Sequence, residues 1–125
     1  MSILTDFYHI EQFQEVSDSK YMVAIRLNPE HEIFEGHFPG NPVTPGVCMM
    51  QIVKDVSEQI TRRRLFLTRS TNVKFMALIN PLENPDIVLD IELSYEDGEL
   101  VKVKNVSSFG ETIALKLTNV YKIIK

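Results

Sequence analysis

The sequence predicts an α+β fold in which one long helix packs against a curved antiparallel sheet. One segment, about 45–61, has the length and apolar spacing of a long helix. The second half of the chain is a run of segments that alternate apolar and polar residues and are joined by tight turns. Strands joined in this way pair antiparallel. One helix followed by such strands favours a sheet that curls around the helix.

The predicted strands alternate apolar and polar side chains, the period of a strand with one buried face. The clearest, about 87–95, ends at Asp97-Gly98, where glycine allows the positive φ of a tight hairpin turn. Asn80-Pro81 ends an earlier one, and the last two are joined near Gly110. The five predicted strands cover about residues 21–27, 73–79, 87–95, 99–108 and 112–124.

The helix has a clear predicted start. Thr44 is expected to cap it and Pro45 to occupy its first position, where proline costs no hydrogen bond. No proline follows before residue 61, and the apolar residues recur at spacings of three and four. The first two turns, 47–53, are apolar nearly all round, which predicts a helix buried inside the fold.

Size and composition restrict the class of protein. The chain has 125 residues, 44% of them apolar, and a net charge of −4, which predicts one domain over residues 1–125 and argues against a nucleic-acid partner. No stretch approaches the ~20 apolar residues of a membrane span. Cys48 is the single cysteine, so we expect no intramolecular disulfide, no zinc site and a reducing, cytoplasmic location.

The segment from Gly36 to Val47 carries the chemistry. It contains three prolines and three glycines in twelve residues, a rigid path that is costly unless it holds something in place. The segment ends at a helix N-terminus, where the N–H groups of Gly46 and Val47 are candidate donors to an oxyanion. His37 is its proton-transfer residue. The alternative is a histidine that braces the loop through a neighbouring carbonyl.

Two polar residues stand on the predicted helix. Gln51 is the one strongly polar side chain in the apolar stretch 47–53, and a buried amide without partners costs about 1–3 kcal/mol. Asp55 lies one turn later on the same face. The alternatives are a glutamine bonded to the loop backbone and a solvated aspartate.

The segment His37-Phe38-Pro39-Gly40 through Pro42 to Pro45-Gly46-Val47 resembles the active-site segment of the β-hydroxyacyl-acyl carrier protein dehydratases of fatty-acid synthesis. Looser matches are Asn72-Val73-Lys74-Phe75 with the turn at Pro81, and the closing hairpin strands. The resemblance covers nearly the whole chain. It implies the hotdog fold, in which a curved antiparallel sheet wraps one long central helix.

The resemblance also implies an assembly and a set of roles. It implies a homodimer, or an oligomer of dimers, whose helices lie side by side under a joined sheet with acyl tunnels at the interface. The loop histidine, here His37, would act with a carboxylate fourteen residues later on the helix of the other subunit. It implies a lyase that needs neither metal nor organic cofactor, acting on an acyl thioester.

This chain departs from the family at the acid position, which is Gln51. An amide orients a hydroxyl but cannot deliver a proton at neutral pH, and general acid assistance is typically worth about 10²–10⁴-fold. Family members commonly carry a glutamine one turn after the acid, and Asp55 stands there in this chain. We therefore expect His37 to be the base, Gln51 to orient the hydroxyl, and Asp55 or a bound water to supply the proton.

Contacts to the substrate and its carrier are predicted as well. Arg62, Arg63 and Arg64 form the densest positive cluster and are candidates for docking an acidic acyl carrier protein. A solvated helix end explains them equally well. The candidate substrate-binding residues are Phe38, Pro39, Gly40, Val47, Met50 and Phe75.

Three functions therefore stand side by side. The first is a dehydratase-like enzyme that converts 3-hydroxyacyl thioesters, on acyl carrier protein or coenzyme A, into trans-2-enoyl thioesters. The second is an acyl-thioester-binding subunit that partners an active hotdog enzyme, which Gln51 favours. The third is an acyl thioesterase. The fold cannot choose among them; the loop favours the first.

Overall fold

The computed structural model describes residues 6–36 and 42–125 as a six-stranded sheet with one α-helix and a short 3₁₀ helix. The 3₁₀ helix covers Glu32–Gly36 and the α-helix, α1, covers Gly46–Thr61. The strands are β1 Tyr8–Glu15, β2 Lys20–Leu27, β3 Leu65–Phe75, β4 Asp86–Glu96, β5 Leu100–Phe109 and β6 Thr112–Ile123.

The sheet is antiparallel throughout, in the order β1-β2-β4-β5-β6-β3. The hairpins β1–β2, β4–β5 and β5–β6 join neighbours in sequence, whereas β3 crosses over to pair with β6. Strands β1 and β3 are the two edges. The helix precedes β3 directly, so the chain passes from the helix to an edge of the sheet.

One face of the sheet and one side of α1 form the core. Ile52, Val53 and Val56 of the helix are fully buried in the same cluster as the inward residues of β2, β4, β5 and β6. Val23 and Leu89 are paired in register and are also fully buried. The predicted packing of one helix against an antiparallel sheet is therefore confirmed. Within the described ranges, no helix combines the length and the apolar character that a membrane crossing requires.

The hairpin turns agree with the sequence. Asp97 and Gly98 both have positive φ, 54° and 70°, the backbone of a type I′ turn. Gly110 has a φ of 57° and lies between β5 and β6.

The predicted start of the helix is wrong in its cap. Pro45, not Thr44, is the N-cap, and no side chain caps the helix. The backbone N–H of Thr44 instead donates to the carbonyl oxygen of Ile79 at 2.8 Å. That bond ties the segment before the helix to the segment after β3, and the Thr44 hydroxyl is buried with no hydrogen-bond partner among the described residues.

Two strands differ from the prediction. The strand expected at 73–79 is Leu65–Phe75, so it begins eight residues and ends four residues before its predicted bounds. β1, Tyr8–Glu15, was not predicted at all. Both are edge strands with a register shift, and most of their side chains are exposed.

The helix is not buried on all sides, contrary to the prediction for its first two turns. Val47 is 75% exposed, and Met50 and Gln51 are partly exposed. The buried side chains of this stretch, such as Cys48 and Met49, lie on the opposite side. An apolar strip of the helix is therefore open in the single chain.

Candidate active site

The helix N-terminus supplies free donors. The carbonyl oxygen of Pro45 accepts the N–H groups of Cys48 and Met49 at 3.0 and 3.3 Å. The N–H groups of Gly46 and Val47 precede these, and among the described residues neither has an acceptor. The first turn of a helix leaves such donors unpaired and adds a partial positive charge. This end of α1 has the donors that a developing oxyanion needs.

Phe75 covers this end of the helix. A Cβ placed on Gly46 would lie 2.6 Å from the ring carbon Cζ of Phe75, so the ring rests directly on the glycine backbone. Phe75 is 56% exposed, which leaves its ring free to turn. Gly46 therefore permits another group to approach the helix N-terminus closely, and in the structure that group is the ring of Phe75.

Gln51 is held by Asp55. Its Nε2 donates to Oδ1 of Asp55 at 2.9 Å, one helical turn away. The second carboxylate oxygen, Oδ2, accepts the hydroxyl of Tyr8 at 3.3 Å. This contact fixes which way the amide of Gln51 points, because its nitrogen is turned towards Asp55. The oxygen Oε1 is then available to accept a hydrogen bond from another group.

Tyr8 is the residue that the sequence did not reveal. It lies on β1, 47 positions from Asp55 in the sequence, and its side chain is partly buried against the core. Burial, followed by the charge and the hydrogen bond of Asp55, raises the pKa of Tyr8. The phenol therefore stays protonated as a donor to the carboxylate. No sequence spacing could have linked these two residues, since they lie on different elements and meet only in the folded chain.

A cleft of about 400 Å³ runs beside this network, between α1 and the β3 edge. Val47, Met50 and Gln51 line it from the helix, with Phe66 from β3 and Tyr121 from β6. Burial raises the pKa of Tyr121 to about 12, so this phenol is neutral at physiological pH. The cleft combines apolar walls with the polar side chains of Gln51, Lys54 and Asn119, as expected of a site for an acyl chain next to polar groups.

The predicted residues are brought together in part. Gln51 and Asp55 form a pair, and Val47 and Met50 line the same cleft as Gln51. Phe75 lies at the helix N-terminus and not among the residues lining this cleft. The remaining predicted residues of the loop, His37, Phe38, Pro39 and Gly40, lie outside the described residues.

The three arginines lie at the other end of the helix. Arg62 is the C-cap in the left-handed conformation, with a φ of 57°, and Arg63 Nε donates to the carbonyl oxygen of Lys125 at 3.2 Å. An open cleft of about 720 Å³ is lined by the arginines together with Asp55 and Glu58. Acids and bases therefore share this surface, and its role in docking stays a prediction.

Comparison with known proteins gives the family. Residues 13–111 match the family model described as ApeI-like, the ApeI dehydratase. The chain belongs to the ApeI-like dehydratase family. The prediction of a dehydratase-type lyase is confirmed by this membership, and so is the resemblance to 3-hydroxyacyl dehydratases.

Two curated relatives of this ApeI-like protein show how far its sequence has diverged from theirs. The 3-hydroxyacyl-(acyl-carrier-protein) dehydratase FabZ of Caulobacter sp. strain K31 is 25% identical over 116 residues, which are 86% of this chain and 71% of that protein. The FabZ of Halalkalibacterium halodurans is 27% identical over 117 residues, 86% of this chain and 82% of that one.

Solved structures agree on the fold. The dehydratase heterocomplex ApeI:P from Xenorhabdus doucetiae superposes with a TM-score of 0.67 at 17% identity, covering 91% of this chain and 96% of that one. A hypothetical thioesterase protein with coenzyme A from Streptococcus pneumoniae TIGR4 gives 0.69 at 12% identity, covering 97% and 90%. The predicted hotdog fold is thereby confirmed.

Proposed function

We propose that this ApeI-like chain removes water from a 3-hydroxyacyl thioester and releases the trans-2-enoyl thioester. The proposal is carried by two features of the helix: free N–H donors at Gly46 and Val47, and an oriented amide at Gln51 beside an apolar cleft. In the dimer proposed below, the Gln51 amide of one subunit faces the donors of the other. The curated relatives are 3-hydroxyacyl-(acyl-carrier-protein) dehydratases, which supports a 3-hydroxyacyl chain on acyl carrier protein and a place in fatty-acid-type synthesis.

The proposed reaction starts at the α-carbon. His37 takes the α-proton, and the negative charge that moves to the thioester oxygen is stabilised by the N–H groups of Gly46 and Val47. The bond from the β-carbon to its hydroxyl oxygen then breaks as the double bond forms. The departing oxygen takes up one proton and leaves as water, so the proton removed from carbon is balanced.

Gln51 orients the departing group in this scheme. Its Oε1 accepts the hydrogen of the substrate hydroxyl, because its Nε2 is engaged by Asp55 at 2.9 Å. Asp55 and Tyr8 hold that amide in place. The proton for the leaving oxygen comes from Asp55 or from a bound water. Both His37→Ala and Asp55→Asn should then reduce turnover, the first by removing the base and the second by releasing Gln51.

Phe75, Phe38, Pro39 and Gly40 are proposed to contact the substrate near the helix N-terminus, and Val47 and Met50 to contact its acyl chain. The apolar side chains that line the cleft support this, since an acyl chain is the ligand such walls suit. Which chain length fits would be read from kcat/KM across a series of thioesters.

A homodimer is proposed as the working assembly, on the support of exposed apolar residues along α1 and the β3 edge. Val47 is 75% and Phe66 59% exposed, and an unpaired edge strand is open to pairing with a second copy. Measurement of the molar mass in solution tests this, and Phe66→Glu should shift the mass towards the monomer. A cytoplasmic location stays a prediction of the sequence.

The test of the activity uses N-acetylcysteamine thioesters, which need no carrier protein. The purified chain is incubated with 3-hydroxyacyl and trans-2-enoyl forms, and hydration, dehydration and thiol release are followed separately. Interconversion of the two thioesters that is lost in His37→Ala supports the proposal. Thiol release alone would select a thioesterase and overturn it.

A second function is favoured by Gln51 itself. An amide cannot donate a proton as a carboxylic acid does, so a chain with Gln51 in this place suits a subunit that binds the acyl thioester for an active partner. Saturable binding of a 3-hydroxyacyl thioester without turnover at any chain length would select this second function.

A further inference from the structure

Three neighbouring strands carry charge of one sign only. β5, β6 and β3 lie side by side in the sheet and contain no aspartate or glutamate. Their cations are Arg69, Lys74, Lys102, Lys104, Lys116 and Lys122. On β5 the lysines alternate with buried residues, and on β6 Lys116 and Lys122 are exposed, so these four lie on the outward face of the sheet. Lys74 on β3 shares that face because it is paired directly with Lys116. On a chain with a net charge of −4, this basic sheet face is a strong segregation of charge.

The lysines at its centre are close together. Lys74 and Lys116 are direct cross-strand partners between β3 and β6, an arrangement of like charges that destabilises a sheet. Lys104 joins them around an open cleft of about 260 Å³. None of the three has an ion pair among the described residues. Glu92 lies opposite Lys104 on β4 and 3.9 Å from Lys20, and Asp90, Glu92 and Lys104 line a neighbouring cleft. The uncompensated like-charge pair is therefore Lys74 with Lys116.

The basic sheet face reaches the β3 edge, and the candidate active site lies on the other side of the sheet at that edge. Lys74 is followed directly by Phe75, whose ring rests on Gly46 at the helix N-terminus. The arginine cluster begins at Arg62, after a helix of 16 residues, which puts it about 24 Å from Gly46 along the helix axis. That cluster shares its cleft with the carboxylates of Asp55 and Glu58.

We propose that the basic sheet face, centred on Lys74, Lys104 and Lys116, is where the acidic carrier protein docks to present its thioester. The proposal rests on the proposed function for the presence of a carrier, and it places docking on the sheet and not on the arginines. An acidic protein surface laid over the lysines relieves their mutual repulsion. Its flexible arm then reaches Gly46 past Phe75. Such complementarity acts mainly on association rate and specificity.

The experiment compares two variants with the same change of net charge. One reverses Lys74, Lys104 and Lys116 to glutamate, and the matched control reverses Arg62, Arg63 and Arg64. Binding of fluorescently labelled acyl carrier protein is measured by anisotropy at low and at high salt. We expect the lysine variant to weaken binding by about tenfold or more at low salt and to lose most of the salt dependence. The arginine variant should change the affinity by less than about threefold.

The outcomes are separable from those of the proposed function. All three proteins are also assayed on the N-acetylcysteamine thioester, whose turnover reports the chemistry without a carrier. The proposal is overturned if the lysine variant binds the carrier as wild type does, if the arginine variant loses the affinity instead, or if wild type binds anionic lipid vesicles and not the carrier. Circular dichroism spectra that superpose with wild type show that the six changes leave the fold intact.

Discussion

Replacing Gln51 by glutamate tests what the amide does in place of an acid. In the structure, Nε2 of Gln51 lies 2.9 Å from Oδ1 of Asp55, so the new carboxyl would face a carboxylate at that distance. Two negative charges so placed repel by about 1.4 kcal/mol in water and about 6 kcal/mol at an effective dielectric constant of about 20. One pKa unit corresponds to about 1.4 kcal/mol. The pKa of the new carboxyl should therefore rise by about one to four units from its usual value near 4.3.

A carboxyl whose pKa lies between about 5 and 8 is suited to general acid catalysis near neutral pH. We expect Gln51→Glu to dehydrate 3-hydroxyacyl thioesters faster than wild type, by up to about 10²-fold. Its kcat should fall on the alkaline side as the proton is lost. The assay is the pH profile of kcat with an N-acetylcysteamine thioester, measured for wild type and variant together.

The double variant Gln51→Glu/Asp55→Asn is the control. In the double variant, the amide of the asparagine at position 55 donates a hydrogen bond to the new carboxyl, whereas the carboxylate of Asp55 repelled its negative charge. The amide therefore favours the charged form of the new carboxyl. The alkaline limb should then move to lower pH by at least about one unit. The reasoning is refuted if the two profiles coincide, or if Gln51→Glu is no faster than wild type at any pH.

Stability gives a second readout of the same variant. The new carboxyl holds its proton more tightly in the folded chain than in the unfolded one, so its pKa is raised by folding. Relative to wild type, the variant should be most stable below about pH 4, and its free energy of unfolding should fall as the pH rises through the folded pKa. Urea unfolding at several pH values measures this, and a difference from wild type that does not change with pH contradicts it.

Two further predictions concern Tyr8 and the lysines. The pKa of Tyr8 is raised in the folded chain, so its contribution to stability is full below about pH 10 and is lost as the pH rises through the folded value. When urea unfolding is measured at increasing alkaline pH, the free energy of unfolding of Tyr8→Phe should therefore fall less than that of wild type. An equal fall in both proteins would contradict the hydrogen bond between Tyr8 and Asp55. Lys74→Glu turns the repulsive pair with Lys116 into an attractive one and should raise the free energy of unfolding by about 0.2–1 kcal/mol. Lys102→Glu, whose partners in register are uncharged, is the control, and a rise of the same size there would mean that net charge alone explains the gain.

The strands that sequence periodicity located are those with one buried face. β4 alternates buried and exposed side chains along most of its length, and its predicted bounds agree with the structure within one residue. Both edge strands were missed or misplaced. In β3 the pairing with β6 shifts register twice, so the apolar residues do not keep a period of two. β1 buries little and also shifts register, which leaves no pattern to detect.

The cap of the helix shows how tertiary contacts override a local preference. Thr44 before Pro45 is a favourable capping sequence, yet the backbone of Thr44 is held by Ile79 and its side chain is buried. The helix bounds were still correct within one residue, because the unbroken apolar spacing after Gly46 fixes its extent. Likewise, the apolar stretch 47–53 predicted complete burial, while Val47 is open to solvent. In the sequence, an apolar side chain that the fold leaves exposed cannot be told from one that it buries.

The polar pair on the helix was within reach of sequence reasoning, since residues four apart share a face. Tyr8, the third member of this hydrogen-bonded group, was not within reach of sequence reasoning. Its contact changes the role that can be assigned to Asp55. With Gln51 on one oxygen and Tyr8 on the other, Asp55 accepts a hydrogen bond on each. A proton placed on either oxygen would displace one of these donors. The geometry therefore favours Asp55 as the group that holds Gln51 and leaves delivery of the proton to water. For the same reason, a carboxyl introduced in place of Gln51 should restore proton donation to the leaving oxygen, which the amide cannot perform.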